Sequence, residues 1–559
     1  MNRSDILTRL PAASKLRPQK DRRGLIERIQ VPGRELRLVF WISLVFYLAL
    51  AIIFNLFIYL GNGDALSRTA NAYYVLYSRD PHLAAIGFIW PPLPSLLQLP
   101  LLPSLLQLPL LPLLKPLGLT VMAGPIISAL FGAGSLLMLD VVLGRLKVPE
   151  KMRWVLLLLT MLHPNYVFLC ASGMAESIIL FFVLVVIWGF MQMPYGTRSW
   201  VICGAGLAAG FLVRYEALAL ILGVAIALVL VYWPESGEWR DEMEGRLLAV
   251  MVPPAYAVAI WLFLNWIVMD SPLYFLQSEY SLANATDIAS NAGVTHPLFL
   301  AWHNIFYTIS YAFERLAQQN VAFLAGSLVT VLAAFVKGNR KMIGLLFILF
   351  SIPAFTAYQV FSGSLATWLR YWFYAIPFGA IVIGMLYRTL QGRWRNILVG
   401  LLLVLFIAGI PISVNTMYTD ENTGGDMQRL GAYLMNPASE PERRAGDSYY
   451  IFRHDAPILA AKVDEVSDEG LVMVDANKSY YVILAAEYPE RLMITNDTDF
   501  TAALQYPQGK VAYILVPQED NVFSRTFPGI YDGAYDWAVM VYDFPDTMTP
   551  YRLFKIAAR

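Results

Sequence analysis

Long stretches without a single charged side chain decide what this chain can fold into. Trp154 to Ala175 and Ile397 to Ile412 contain no Asp, Glu, Lys or Arg. Such runs are apolar on nearly every helical face, whereas a soluble surface helix keeps a polar one. About 20 apolar residues in a helix cross roughly 30 Å of hydrocarbon. Of the 559 residues, 57% are hydrophobic and 15% charged, where soluble domains carry roughly a quarter charged. The sequence predicts a polytopic α-helical membrane protein with about eleven transmembrane helices.

Charge placement then orients the chain. Lys and Arg together number 41 and so do Asp and Glu, so net charge argues neither for nor against nucleic acid, and no nucleic-acid partner is expected of a membrane protein of this kind. Residues 1–38 are a basic tail with Arg3, Arg9, Lys15, Arg22 and Arg23 among others, too polar for a signal peptide and expected in the cytoplasm. The transmembrane domain is expected over 39–416, beginning with a span at 39–60 and a long outer loop at 61–116. Basic loops such as Arg145 to Arg153, Lys337 to Lys341 and Arg388 to Arg395 then share the cytoplasmic side. Membrane lipids are the expected surroundings. Asp64, Arg68, Arg79, Glu176, Arg214, Glu216 and Arg370 fall at outer helix ends or in outer loops. Charges there either snorkel into headgroups or converge on a polar site.

Residues 94–111 repeat Pro-Ser-Leu-Leu-Gln-Leu-Pro-Leu-Leu twice. Proline at that density breaks a spanning helix, so the segment is expected along the outer interface or re-entering under protein cover. Cys170 and Cys203 lie in apolar runs and read as small buried residues, not a disulfide framework.

From 417 to 559 the composition is that of a soluble domain. Strands are expected at 471–475, 492–495, 511–516 and 537–544, with helices at 450–463, 479–489 and 498–505. That alternation predicts a small α/β domain with a parallel or mixed sheet. The N-terminal tail and the odd span count place it outside the cytoplasm. Sequons at Asn284, Asn477 and Asn496 face outward in this arrangement.

Four motifs then stand in a telling order: Gly63-Asp64-Ala65 after the first span, Trp90-Pro91-Pro92-Leu93 in the first outer loop, Gly173-Met174-Ala175-Glu176-Ser177 between short paired helices, and Arg370-Tyr371 followed by Pro377. Val213-Arg214-Tyr215-Glu216 after a Gly-rich helix joins them. Over roughly 39–390 this resembles the GT-C superfamily of membrane glycosyltransferases. The Trp-Pro-Pro-Leu segment is similar to that of protein mannosyltransferases and aminoarabinose transferases, which is a family 39-like pattern. The doubled acid of the protein mannosyltransferases is absent, since Ala65 follows Asp64.

The resemblance implies a polyprenyl-phosphate-linked sugar donor and inverting transfer to an acceptor that is a lipid, a glycan or a protein. It implies a carboxylate base, for which Asp64 is the candidate, with Glu176 orienting the acceptor or sharing the base role. Arg370 and Arg214 are the donor phosphate-binding candidates, because guanidinium donors match phosphate oxygens. Arg68, Arg79, His82, Trp90, Glu216, Glu279, Tyr280 and Tyr371 are candidates for the surrounding pocket. Each residue also has a plainer reading: Asp64 and Glu176 as helix caps, the arginines as interfacial anchors or partners of Glu216. No residue spacing points to a metal site, although some relatives in this superfamily use a divalent cation. The competing functions are a transporter or lipid flippase, and a non-catalytic membrane scaffold.

Overall fold

The computed structural model describes residues 31–102, 120–232, 238–278, 297–365, 368–420 and 423–557. Helix α1 (Gly33–Ile52) loosens into one wider turn at Ile53–Phe57, where buried Asn55 donates to Ala51 O and Ala171 O at 2.8 and 3.0 Å. The chain then turns, and the side chain of Asn62 accepts the Asp64 N–H at 2.9 Å to start α2 (Gly63–Tyr77). This cap fixes Asp64 in the first turn of a helix, a favourable place for a carboxylate.

The bundle continues with α3 (Ala123–Arg145), α4 (Glu150–Met161), α5 (Pro164–Ala171), α6 (Glu176–Gln192), α7 (Thr197–Val213) and α8 (Ala217–Tyr232). It is completed by α9 (Glu238–Met269), α10 (Ile305–Lys337), α11 (Arg340–Phe361), α12 (Ala375–Thr389) and α13 (Gly392–Thr419). Among the described residues, 7 helices are long and apolar enough to cross a membrane: α1, α3 and α9 to α13, with short extensions at some ends. The pair α4 and α5, bent by 68° at His163-Pro164, brings this to 8 if counted as one span. Helices α6, α7 and α8 are apolar but shorter. Fewer than the expected eleven therefore meet the length criterion. The outer face of α9 exposes Leu248, Val252, Phe263 and Trp266, as a lipid-facing surface would.

Two breaks shape the end of the bundle that carries Asp64. Gly173 has φ +85°, and a Cβ there would stand 3.0 Å from Pro125 Cδ, so only glycine makes the turn into α6 at that spacing. Helix α10 is interrupted at Asn320, where φ is −162° and ψ 100°; Gln319 Nε2 then donates to Leu369 O at 3.0 Å. That bond anchors the short turn Leu369–Trp372 leading into α12, whose residues from Ala375 to Leu386 are all buried.

At the opposite end, Arg153 ties three elements together. It donates to Glu35 at 2.6 Å and to Asp140 Oδ1 at 2.8 Å, all three side chains being buried. The loops carrying Arg145 to Arg153, Lys337 to Lys341 and Arg388 meet at this same end: Lys337 donates to Thr389 O, and Arg388 to Arg145 O at 3.4 Å.

The first copy of the Pro/Leu repeat packs on α2, with Gln98 Oε1 accepting from Thr69 at 2.8 Å and Arg68 O accepting from Ser95 at 3.0 Å. The second copy, 103–111, lies outside the described residues.

A helix not anticipated from sequence, α14 (Gly425–Met435), leads into the C-terminal domain with α15 (Ser448–Ser467) and α16 (Tyr480–Ala485). Five strands form one sheet: β1 (Val472–Val474), β2 (Leu492–Ile494), β3 (Tyr513–Pro517), β4 (Ala538–Asp543) and β5 (Tyr551–Ile556). Their order is β2-β1-β3-β5-β4. Strand β1 runs parallel to β2 and β3, with Val474 beside Ile494 and Leu515, while β5 is antiparallel to β3 and β4. The sheet is mixed, as expected, but β5 was missed because Tyr551–Ile556 interleaves Arg552 and Lys555 with its apolar residues at the chain end.

Candidate active site

Asp64, Glu176, Arg214, Glu216 and Arg370 come from five different helix ends, and the fold brings them together. Arg370 Nη2 donates to Asp64 Oδ2 at 2.6 Å, and its Nε lies 3.7 Å from Glu176 Oε1. Arg214 bridges the other side, donating to Glu176 Oε1 at 3.0 Å and to Glu216 Oε1 at 2.9 Å. Tyr374, one turn beyond Arg370, donates to the same Glu216 oxygen. Tyr371 lies beneath both guanidiniums, its ring centroid 5.5 Å from the Arg370 carbon and 5.8 Å from that of Arg214. Trp368 closes the other face of Arg370 at 4.0 Å.

Exposure separates the members. Glu176 is 1% exposed and Arg370 3%, while the Asp64 side chain keeps 31%. Asp64 is thus the carboxylate of the cluster that faces open space. Burial raises its carboxyl, but the guanidiniums of Arg370, Arg68 and Arg214 outweigh burial and hold it below the ordinary value of 3.8. The sign follows directly. A depressed folded value means the Asp64 ion pairs stabilise the protein fully above pH ~4, and that stability is lost as pH falls through the folded value. Asp64 therefore stays ionised in the free protein at pH 5, and kcat/KM for any activity depending on it should hold from pH 7 to pH 5; an acid limb in kcat/KM centred above 5 would contradict this assignment.

Arg68 is the least satisfied cation of the cluster. It is 6% exposed, its guanidinium carbon lies 4.6 Å from the Trp90 ring centroid, and its Nε and Nη1 have no hydrogen-bond partner. Its electrostatic neighbours are Asp64, Glu176, Arg214 and Arg370. A buried guanidinium with unused donors is costly unless a ligand supplies the acceptors. Oε2 of Glu176 is likewise buried and unpaired.

Asp64 opens onto a cavity of about 640 Å³ between the bundle and the C-terminal domain. From the bundle come Asn62, Ser67, Asn71, Trp90 and Trp368. From the C-terminal domain come residues following the carboxyl ends of all three parallel strands: Asn477 and Lys478 after β1, Asn496 after β2, and Glu519, Asp520 and Arg525 after β3. The carboxyl ends of parallel strands are where α/β sheets present ligand sites, since the loops there converge from both sides of a switch in strand order. Here the switch lies at β1, which has β2 on one side and β3 on the other.

Several sequence candidates fall elsewhere. Arg79 does not line the cavity; it pairs with Asp497 at 3.1 Å and with Asp499, pinning α2 to the C-terminal domain. His82 turns to Asp80, its Nδ1 2.6 Å from the Asp80 carbonyl. Glu279 and Tyr280 lie outside the described residues. Four contributors were missed. Tyr374 could have been found from its spacing of four after Arg370. Buried Asp426, which accepts from Asn62 Nδ2, follows the last span too distantly to be linked to Asp64 from sequence. Asn477 and Asn496 stood out only as sequons.

Among the described residues no group of three or more His, Cys, Asp or Glu converges as a metal site would require. The carboxylates Asp64, Glu176 and Glu216 are each engaged by a guanidinium.

No family model matches the chain, and no curated protein sequence matches it. Among solved structures, it is similar to ArnT from Cupriavidus metallidurans, in the apo state, at 15% identity over 93% of this chain and 98% of that one, with a TM-score of 0.48. It is also similar to the archaeal oligosaccharyltransferase AglB from Archaeoglobus fulgidus in complex with an inhibitory peptide and a dolichol-phosphate, at 10% identity over 86% and 69% of the two chains and TM-score 0.44. A third similarity is to the S. cerevisiae protein O-mannosyltransferase Pmt1-Pmt2 complex bound to the sugar donor, at 14% identity and TM-score 0.32. There the alignment covers 43% of this chain and only 35% of the other. All three are GT-C membrane glycosyltransferases.

Proposed function

We propose that the protein transfers a sugar from a polyprenyl-phosphate donor to a hydroxyl of an acceptor, at the membrane face bearing Asp64. The observation that carries this reading is one half-open carboxylate, Asp64, set against buried guanidiniums and facing a large polar cavity. Glycosyl transfer needs just these parts: a base for the acceptor proton and cations for the leaving phosphate.

In the proposed step the acceptor O–H gives its proton to Asp64, and its oxygen attacks the anomeric carbon from the face opposite the phosphate. The bond from that carbon to the phosphate oxygen breaks, and the polyprenyl phosphate leaves with the electron pair, giving inversion. The phosphate lies against Arg68 and Arg370. Arg68 has unused donors, and Arg370 exchanges its contact with Asp64 for the phosphate. That exchange raises the basicity of Asp64 only when donor is bound, since the guanidinium that depressed the carboxyl has turned away. Glu176 and Glu216 hold Arg214 and Arg370 in place. The acceptor occupies the cavity, with the C-terminal domain selecting it. The basic loops at the other end of the bundle support a cytoplasmic side there, which in this reading leaves Asp64 on the outer face.

The reading is tested by incubating membranes containing the protein with radiolabelled polyprenyl-phosphate sugars and identifying labelled product. Transport of label across liposomes without transfer would reject it. Once a donor is found, Arg68→Met and Arg370→Ala should each weaken donor binding by roughly 10- to 100-fold, the effect of losing a charge-assisted hydrogen bond. Unchanged donor KM in both variants would remove the phosphate from this site.

A further inference from the structure

The interruption of α10 meets both ends of the segment that carries Arg370. At Asn320 the backbone is extended within a helix, and Gln319 and Asn320 are both fully buried. Such a break gives up helical hydrogen bonds, and buried backbone groups must find other partners. His163, at the bend between α4 and α5, supplies one: its Nε2 lies 3.1 Å from the Gln319 carbonyl. A carbonyl only accepts, so Nε2 carries the hydrogen. The two side-chain amides then reach one segment. Gln319 Nε2 donates to Leu369 O at 3.0 Å, and Asn320 Nδ2 donates to Ile376 O at 3.3 Å. Between those carbonyls lie Arg370, Tyr371 and Tyr374, and the Leu369 carbonyl belongs to the peptide that leads into Arg370.

Asn320 Oδ1 accepts from Ala322 N at 3.0 Å, which fixes the way its amide points. The facing helices leave room for it. A Cβ at Gly379 of α12 would collide with Asn320 Nδ2, and one at Gly409 of α13 would stand 3.4 Å from Asn320 Cα. The Gln319 amide is only half satisfied, since its Oε1 is buried without a partner among the described residues. A buried acceptor left unpaired costs stability, so an apolar side chain of the same size would fold about as well. What the amide adds is one donor at the peptide before Arg370. We propose that Gln319 and Asn320 are positioning residues. They hold both ends of the Arg370 segment, so that its guanidinium meets Asp64 and, resting on the function proposed above, the donor phosphate.

The test treats the purified full chain with phenylglyoxal, which modifies guanidinium groups, and reads the rate at Arg370 by peptide mass spectrometry. Binding of decaprenyl phosphate is measured alongside. Gln319→Met keeps the bulk and removes the donor. It should label Arg370 about 10-fold faster and bind decaprenyl phosphate about 10-fold more weakly, the effect of one lost buried hydrogen bond, with an unchanged thermal midpoint. Gln319→Asn keeps an amide but draws it back by one methylene, and should act the same way. Gln192→Met removes a buried amide at the far end of α6 and should change neither reading. Labelling at the wild-type rate in both Gln319 variants would overturn the proposal, whatever the lipid does. So would equal acceleration in Gln192→Met, or a fall in thermal midpoint that matches the faster labelling, since the amide would then serve stability alone. Faster labelling with unchanged lipid binding would uphold the positioning role and reject Arg370 as the phosphate partner.

Discussion

Asp64→Asn should lower the rate of sugar transfer by about 1,000-fold while leaving donor affinity within a few-fold of wild type, since general-base catalysis contributes roughly 10²- to 10⁴-fold. The substitution keeps size and shape and retains an oxygen to accept from Arg370, so the cluster stays assembled. What it removes is the capacity to take a proton. Asp64 is singled out among the site carboxylates by exposure: its side chain is 31% accessible, while those of Glu176 and Glu216 are 1% and 9% accessible and held by Arg214. The check is single-turnover transfer alongside equilibrium binding of the donor lipid. If transfer survives in Asp64→Asn, the base lies elsewhere and the site assignment fails. If donor binding collapses with transfer, Asp64 acts through Arg370 and not on the acceptor.

The second large effect concerns attachment of the C-terminal domain. Arg429 on α14 is fully buried and serves four acceptors from two parts of the chain. It donates to Glu440 at 2.8 Å and to Asp447, and also to the carbonyls of Ile58 and Tyr59 at 2.9 and 2.8 Å. Those carbonyls belong to the turn that delivers Asn62 and Asp64. Arg429→Met leaves Asp447 buried and without its cation, and breaking a buried ion pair costs about 3–5 kcal/mol. At about 3 kcal/mol, opening of the junction between the bundle and the domain becomes roughly 100-fold more frequent, and proteolysis there should accelerate by that factor. Unchanged cleavage would mean that the attachment is carried by Arg79 with its acids and by Asn55, whose Oδ1 accepts from Tyr449 of α15 at 2.9 Å.

The effect should depend on pH, and its sign can be stated. Burial, reinforced by the charge of Asp426, pushes the Asp447 carboxyl up to about 6 even with Arg429 beside it. Without Arg429 it rises further. An acid whose folded value is raised costs stability as pH rises through that value, because the folded state must then bury a charge the unfolded chain leaves in water. Arg429→Met should therefore be closer to wild type at pH 5 than at pH 8.

How much of this was legible beforehand can be followed residue by residue. Asp64, Glu176, Arg214, Glu216 and Arg370 were readable because charge at the end of an apolar helix has few inexpensive explanations. Strands β1 to β4 were readable because short apolar runs alternate with helical segments. Arg79 was not distinguishable from Arg68 in sequence: both are arginines on the same outer segment. Arg68 lies within α2 and meets Trp90, while Arg79 lies two residues past the end of that helix and meets Asp497. Tyr551–Ile556 was obscured by its interleaved Arg and Lys, and α14 by a composition shared with loops.

The sequence by itself determined the class of the protein, a multi-pass helical bundle with a water-soluble α/β domain after it, and the set of charges available at one end. Hydrophobic length, helix-breaking residues and strand alternation are local properties, carried within windows of about 20 residues. Tertiary structure decided which charges meet. Asp64 and Arg370 are 306 positions apart, and Asn62 and Asp426 are 364 apart. Their pairing depends on the break at Asn320, the turn at Gly173 and the docking of helices α15 and α16 of the C-terminal domain onto α2. Packing between distant segments settles such pairings, and no local pattern in the chain encodes them.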